Sequence, residues 1–172
     1  MSIDISKLNS FSQETYHKII AKHPEWEKFA SIYEGWKELL MFKIPPPVPD
    51  IPPIKIIAES DDLEEITIYF GIAHYHMGIY LSSKESFWRH RKKTLDDQLN
   101  AIYEITEMIF NEELIAVQHN PGLFSVAEGI ITLDEYKKLL EKGKLRKAVS
   151  WKGTYNFPKD GTHLEWNPKL MT

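Results

Sequence analysis

His74 and His76 stand two residues apart in the stretch YFGIAHYHMGIY, residues 69–80, and no other part of the chain concentrates chemistry as this pair does. Alternate side chains of an extended strand point the same way, so two neutral imidazoles could face one metal ion. A catalytic zinc needs a third protein ligand and an open position, where a bound water becomes a hydroxide able to hydrolyse a substrate. His90, His119 and His163 could each supply that ligand, but no spacing ties any of them to the pair. Glycine-rich phosphate loops and the G-x-S-x-G, H-E-x-x-H and EF-hand patterns are absent, so no catalytic residue is assigned.

A second reading of the pair turns on Gly71. A glycine inside a strand often marks a bulge that shifts side-chain parity by one. Ile66, Ile68 and Phe70 would then share the buried face with Ala73, Tyr75, Met77 and Ile79. His74 and His76 would face outward as titratable surface groups suited to binding a partner. Unbulged, the same histidines would lie beside Ile66 and Phe70 and would need buried hydrogen-bond partners. The acids Asp50, Glu59, Asp61, Asp62, Glu64 and Glu65 gather around the neighbouring loops. Projecting from one edge, they would steer a basic protein partner.

These residues depend on the elements that carry them. EEITIYF alternates as a half-buried strand, IKIIAE precedes it, and SDD between them reads as a turn. WKELLMFKI is apolar and runs into PPPVPDIPP, whose prolines lack the donors a central ladder requires. That segment reads as a stiff connection between adjacent strands. Upstream, Ser10 and Gln13 have capping-box spacing before Phe11, Tyr16, Ile19 and Ile20, and Pro24 ends that helix. Trp26, Phe29, Ala30 and Tyr33 predict a second helix, ended by Gly35.

Downstream, Ser82 and Glu85 could open a long helix running through Trp88, Leu95, Leu99, Ile102, Thr106 and Ile109, with a fresh start available at Thr94 and Asp97. ELIAVQH reads as a strand and NPG as a turn. Thr132 and Glu135 form a capping box for TLDEYKKLLEKGK, whose Gly143 sits where a C-terminal cap belongs. In KLRKAVSWKGTYNF, Leu145, Val149, Trp151, Tyr155 and Phe157 share one face of a strand bent at Gly153. The basic run RHRKK, residues 89–93, spreads around a helix and reads as a solvated face.

Composition sets the limits. The chain has 172 residues, 42% of them hydrophobic and 12% aromatic, enough apolar surface for one packed domain spanning 1–172. It has no cysteine, which excludes disulfides and thiolate chemistry and accords with a cytoplasmic location. Neither a signal peptide nor a membrane span is expected. Twenty-five acids against 21 Lys and Arg, a net charge of −4, argue against nucleic acid as a partner.

The succession PPIKIIAES, DDLEEITIYFGIAHYHMGIY, a long amphipathic helix, ELIAVQH and SWKGTYNF resembles small cytoplasmic immunity proteins of bacterial polymorphic-toxin systems. The similar features are Glu65 to Ile68, His74-Tyr75-His76 and Ser150 to Thr154. The resemblance implies a non-catalytic protein that binds and blocks a cognate toxin domain, with no cofactor. The expected fold is α+β: an antiparallel meander of about five or six strands with helices packed mainly on one face. The contact residues would be His74, His76, Asp50, Glu59, Asp61, Asp62, Glu64 and Glu65, and the alternative is a metal-dependent hydrolase built on the two histidines.

Overall fold

Ser10–Lys22 forms helix α1, but its cap lies one residue earlier than Ser10: the Asn9 side chain accepts from the Ser12 N–H at 2.8 Å. Asn is as good a cap as Ser, and Gln13 turns its amide to the Leu8 carbonyl at 2.7 Å. The computed structural model describes residues 3–33, 38–59, 64–77, 94–122 and 125–157. Asp61, Asp62, Gly35, His90, His163, Ile79, the Ser82–Glu85 box, Trp88 and the 89–93 basic run lie outside them.

The helix expected over Trp26 to Tyr33 is instead one stretch of 3-10 helix, Pro24–Phe29, followed by strand β1, Ala30–Ile32. Ala30, Ser31 and Ile32 pair with Phe42, Met41 and Leu40 of β2, Leu40–Ile44, so cross-strand bonding overrides the local periodicity. β3, Ile54–Glu59, β4, Glu65–Phe70, and β5, Ala73–His76, complete a five-stranded antiparallel sheet in the order β1-β2-β3-β4-β5. The proline-rich segment 45–53 joins two adjacent strands, as its missing donors require.

α2, Leu95–Phe110, takes the fresh start: the Asp97 N–H donates to Thr94 Oγ1 at 3.1 Å, and the Thr94 N–H donates back to Asp97 Oδ2 at 3.1 Å. A second, three-stranded sheet follows, in which β6, Leu114–Gly122, lies between β7, Ser125–Thr132, and β8, Leu145–Val149. β7 had no counterpart in the sequence reading, and the expected NPG turn is the end of β6. Helix α3, Leu133–Glu141, has the full Thr132/Glu135 capping box, with Gly143 at φ +60° beyond it. It packs on this second sheet, burying Tyr136 beside Ile115, Val117, Leu145 and Ala148.

The strand expected through Phe157 stops at Val149. The chain then turns, with Gly153 at φ +77°, and Phe157 exchanges two backbone hydrogen bonds with Ala148 at 2.9 and 3.0 Å.

The chain divides into two compact units: residues 1–44, 55–68 and 76–103, and residues 45–54, 69–75 and 104–172. In the first, Phe11, Tyr16, Ile19, Trp26, Leu40 and Phe42 are buried, with Tyr16 stacked on Phe42 at 6.4 Å between centroids. In the second, Trp151 packs against Phe110 at 5.0 Å and Phe70 at 6.0 Å. Among the described residues no helix is long and apolar enough to cross a membrane.

Candidate functional site

Gly71 does not bulge a continuous strand; it reverses it. β4 and β5 are consecutive strands of the sheet, and the two residues between them, Gly71 and Ile72, make the turn. Gly71 has φ +59° and Ile72 is not among the positive-φ residues, the pattern of a type II′ turn with glycine first. A side chain at Gly71 would also meet the Val149 Cβ at 3.3 Å and the Ala116 Cβ at 3.5 Å. The Met77 N–H donates to the Ile66 carbonyl at 2.8 Å, which fixes an even-against-odd register. A two-residue turn changes parity as a one-residue bulge would, so the sequence reading reached the right pairing of faces through the wrong device.

The register sets His76 opposite Thr67 in the first unit. His76 Nδ1 lies 3.1 Å from Thr67 Oγ1 and 3.5 Å from Glu65 Oε1. The His76 side chain is 48% exposed, whereas Glu65 is buried and Thr67 fully so. A half-exposed imidazole is thus oriented from below by a buried carboxylate and a buried hydroxyl, the arrangement that fixes a histidine's tautomer and ring plane. Glu65 does not belong to an exposed acidic surface. The start of β4 is itself pinned by Gln98, also buried, which accepts from the Ile66 N–H at 2.8 Å and donates to the Glu64 carbonyl at 3.0 Å. Glu64 is exposed at φ +45° and lines a groove of about 410 Å³ with Ser10, Phe11, Glu14, Thr94 and Gln98. Glu59 is half-buried at the end of β3.

In the second unit His74 is half-buried and stacks on Tyr69, ring centroids 5.4 Å apart and planes 23° from parallel. Asp50 is exposed in the proline-rich segment at φ +67°. Tyr75, expected in the core, is 41% exposed. Its hydroxyl donates to the Ile130 carbonyl at 2.7 Å, which holds the ring at the surface instead of letting it swing freely. Burial of its inner part raises the hydroxyl pKa above the ordinary tyrosine value, and the Glu135 carboxylate adds in the same direction.

His119, a candidate third metal ligand, is half-buried in β6 beside register shifts in both pairings, and among the described residues its Nδ1 has no hydrogen-bond partner. Among the described residues no three His, Asp or Glu side chains converge on a point that could hold a metal ion.

Sequence reasoning missed Thr67, Gln98 and Glu112. Glu112, buried at the turn after α2 with φ +58°, accepts from the Lys152 N–H at 2.8 Å and the Thr154 N–H at 3.3 Å. Burial pushes its pKa up. Hydrogen bonds from the Thr154 and Ser150 hydroxyls and from those two amides outweigh burial and hold it below the ordinary value of 4.5. Only the S-W-K-G-T spacing could have flagged this turn, and nothing in it names its carboxylate. No protein-family model, no curated protein and no solved structure matches the chain.

Proposed function

We propose that the chain is a non-catalytic protein-binding protein that neutralises a toxin domain. The observation that supports this reading is Tyr75: a large aromatic side chain held in place by a 2.7 Å hydrogen bond while 41% of its surface stays exposed. Tyrosine is favoured at protein interfaces, and a ring already fixed loses little side-chain entropy when a partner covers it. His74, stacked on Tyr69, is similarly ordered beside it in sequence. In the first unit, the oriented imidazole of His76 offers a polar contact of the same kind.

The test is co-expression with the C-terminal domain encoded by an adjacent large gene. Growth arrest by that domain should be relieved by the wild-type chain and not by Tyr75→Ala, with Tyr75→Ala still folded by circular dichroism. Unrelieved growth arrest would end the neutralisation reading. Elemental analysis of untagged protein separates the hydrolase reading: about one zinc per chain, lost on the double change His74→Ala and His76→Ala, would put a metal site in its place.

A further inference from the structure

Among the described residues β7 is an outer strand of the second sheet, and its outward groups can be assigned from its register. The Leu133 N–H donates to the Glu113 carbonyl, and Ile131, Gly129 and Ala127 lie opposite Ile115, Val117 and His119. The odd residues of β7 therefore bond to β6. On the other side of β6, the Asn120 N–H donates to the Lys144 carbonyl, which assigns even residues of β6 to β8. It follows that Val126, Glu128 and Ile130 direct their N–H and C=O groups away from the sheet. The Ile130 carbonyl is taken by the Tyr75 hydroxyl, which closes that end of the edge. Ser125, Val126 and Glu128 are exposed, Val126 at 49%.

Among the described residues no strand pairs with this edge, and such an edge is a template for one more strand. Its charge selects the occupant. Glu128 stands in the middle, with the neutral Gln118 amide as its side-chain partner at 2.8 Å, and Glu135 acts on the Tyr75 end. In the register that pairs Glu128 with Glu128, two antiparallel copies of β7 would set like charges directly opposite, which is destabilising.

Resting on the protein-binding reading above, we infer that β7 accepts a short extended segment of the partner as an added antiparallel strand, with a lysine or arginine opposite Glu128. The stretch from Ser125 to Gly129 fits a segment of about five residues, and Val126 supplies an apolar contact beside the ion pair.

The probes are two capped seven-residue peptides alternating threonine and valine, one with a central lysine and one with a central glutamate, added to the isotope-labelled full chain. In the free chain the Val126 and Glu128 amides should exchange fast with solvent, and those of Ala127, Gly129 and Ile131 slowly. The lysine peptide should shift the Val126 and Glu128 resonances about three- to five-fold more tightly than the glutamate peptide, and Glu128→Lys should reverse that preference. Val126→Pro removes only an outward donor, so it should abolish the shifts with the fold retained, whereas Ala127→Pro removes a ladder bond and should lower the melting temperature. Slow exchange at Val126 and Glu128 in the dilute free chain, or protection there that grows with protein concentration, would overturn the inference, the latter by showing a second copy on the edge. Growth rescue in co-expression with no resonance shift from either peptide would sink strand addition while leaving protein binding intact. Peptide binding as described without rescue would do the reverse.

Discussion

Glu65 and Glu112 are both buried glutamates, at 5% and 7% exposure, yet they are held by different kinds of partner. Glu112 faces backbone amides and two hydroxyls of the Ser150–Thr154 turn, and those amides cannot leave without unfolding that turn. Glu65 faces the imidazole of His76, a side chain about half in solvent. A carboxylate enclosed by fixed donors serves the fold. One that supports a half-exposed ring orients a surface group. Burial alone does not distinguish the two uses; the identity and exposure of the partner do.

The sharpest way to break the contrast is to remove the enclosed carboxylate. Glu112→Ala leaves the Lys152 and Thr154 amides without their acceptor, and hydrogen bonds to a charged group are worth roughly 1.5–3 kcal/mol each. The expected loss is about 3 kcal/mol by urea unfolding. A loss under about 1 kcal/mol would mean that water replaces the carboxylate and that the turn does not depend on it.

The same group fixes a pH dependence. Because the folded-state pKa of Glu112 lies below the ordinary 4.5, the folded chain binds fewer protons there than the unfolded chain in that range. Its contribution is fully present above about pH 4.5 and is lost as pH falls through the folded value. The stability gap between wild type and Glu112→Gln should therefore be constant from neutral pH down to about 5 and close below it. A gap that widened on acidification would reverse the assigned direction.

How much of this was legible in the sequence follows from the distance between partners. Thr132 with Glu135, and Thr94 with Asp97, are three residues apart, so both helix starts could be read directly. The alternation of Ile66, Ile68 and Phe70 gave β4 its core face. β7 was missed because Ser-Val-Ala-Glu-Gly-Ile-Ile-Thr does not alternate, and only Ile130 in it is buried. β1 exists because residues 30–32 find 40–42, which no local window contains. Glu112 meets its amides 40 and 42 positions away. In the candidate site the histidines were found and their supports were not: Thr67 read as an ordinary outward strand residue and Glu65 as a solvated acid. Parity assigns Tyr75 to the core, yet 41% of it is exposed, with its hydroxyl on the Ile130 carbonyl 55 residues away.

Tyr75 gives the intermediate effect. A fully buried tyrosine truncated to alanine would cost roughly 3 kcal/mol or more. At 41% exposure Tyr75→Ala should cost about 1–2 kcal/mol, and Tyr75→Phe, which removes the bond to Ile130 alone, about 1 kcal/mol. Denaturant midpoints of the two variants separate ring from hydroxyl. If alanine cost as much as a core truncation, Tyr75 would be a structural residue and its part in partner binding would fall.

The smallest effect belongs to the Glu65–His76 contact, and it decides whether the comparison with Glu112 holds. His76 is about half exposed and its 3.5 Å approach to Glu65 is looser than the 2.8 Å bond between Glu112 and Lys152. Solvent screening limits a pair of this kind to well under 1 kcal/mol of net stability. A double-mutant cycle on Glu65→Gln and His76→Ala should therefore return a coupling below about 1 kcal/mol in unfolding. The same substitutions should be strongly coupled in partner affinity, because losing Glu65 takes away one support of a ring that His76→Ala removes altogether. Thr67→Val, which deletes the hydroxyl at 3.1 Å while keeping the branched shape, provides the check from the other support. It should weaken binding in the wild-type background and have no further effect once His76 is alanine. Additive losses in affinity would mean that Glu65 and Thr67 do not act through the imidazole, and Glu65 would then join Glu112 as a carboxylate that serves the fold alone.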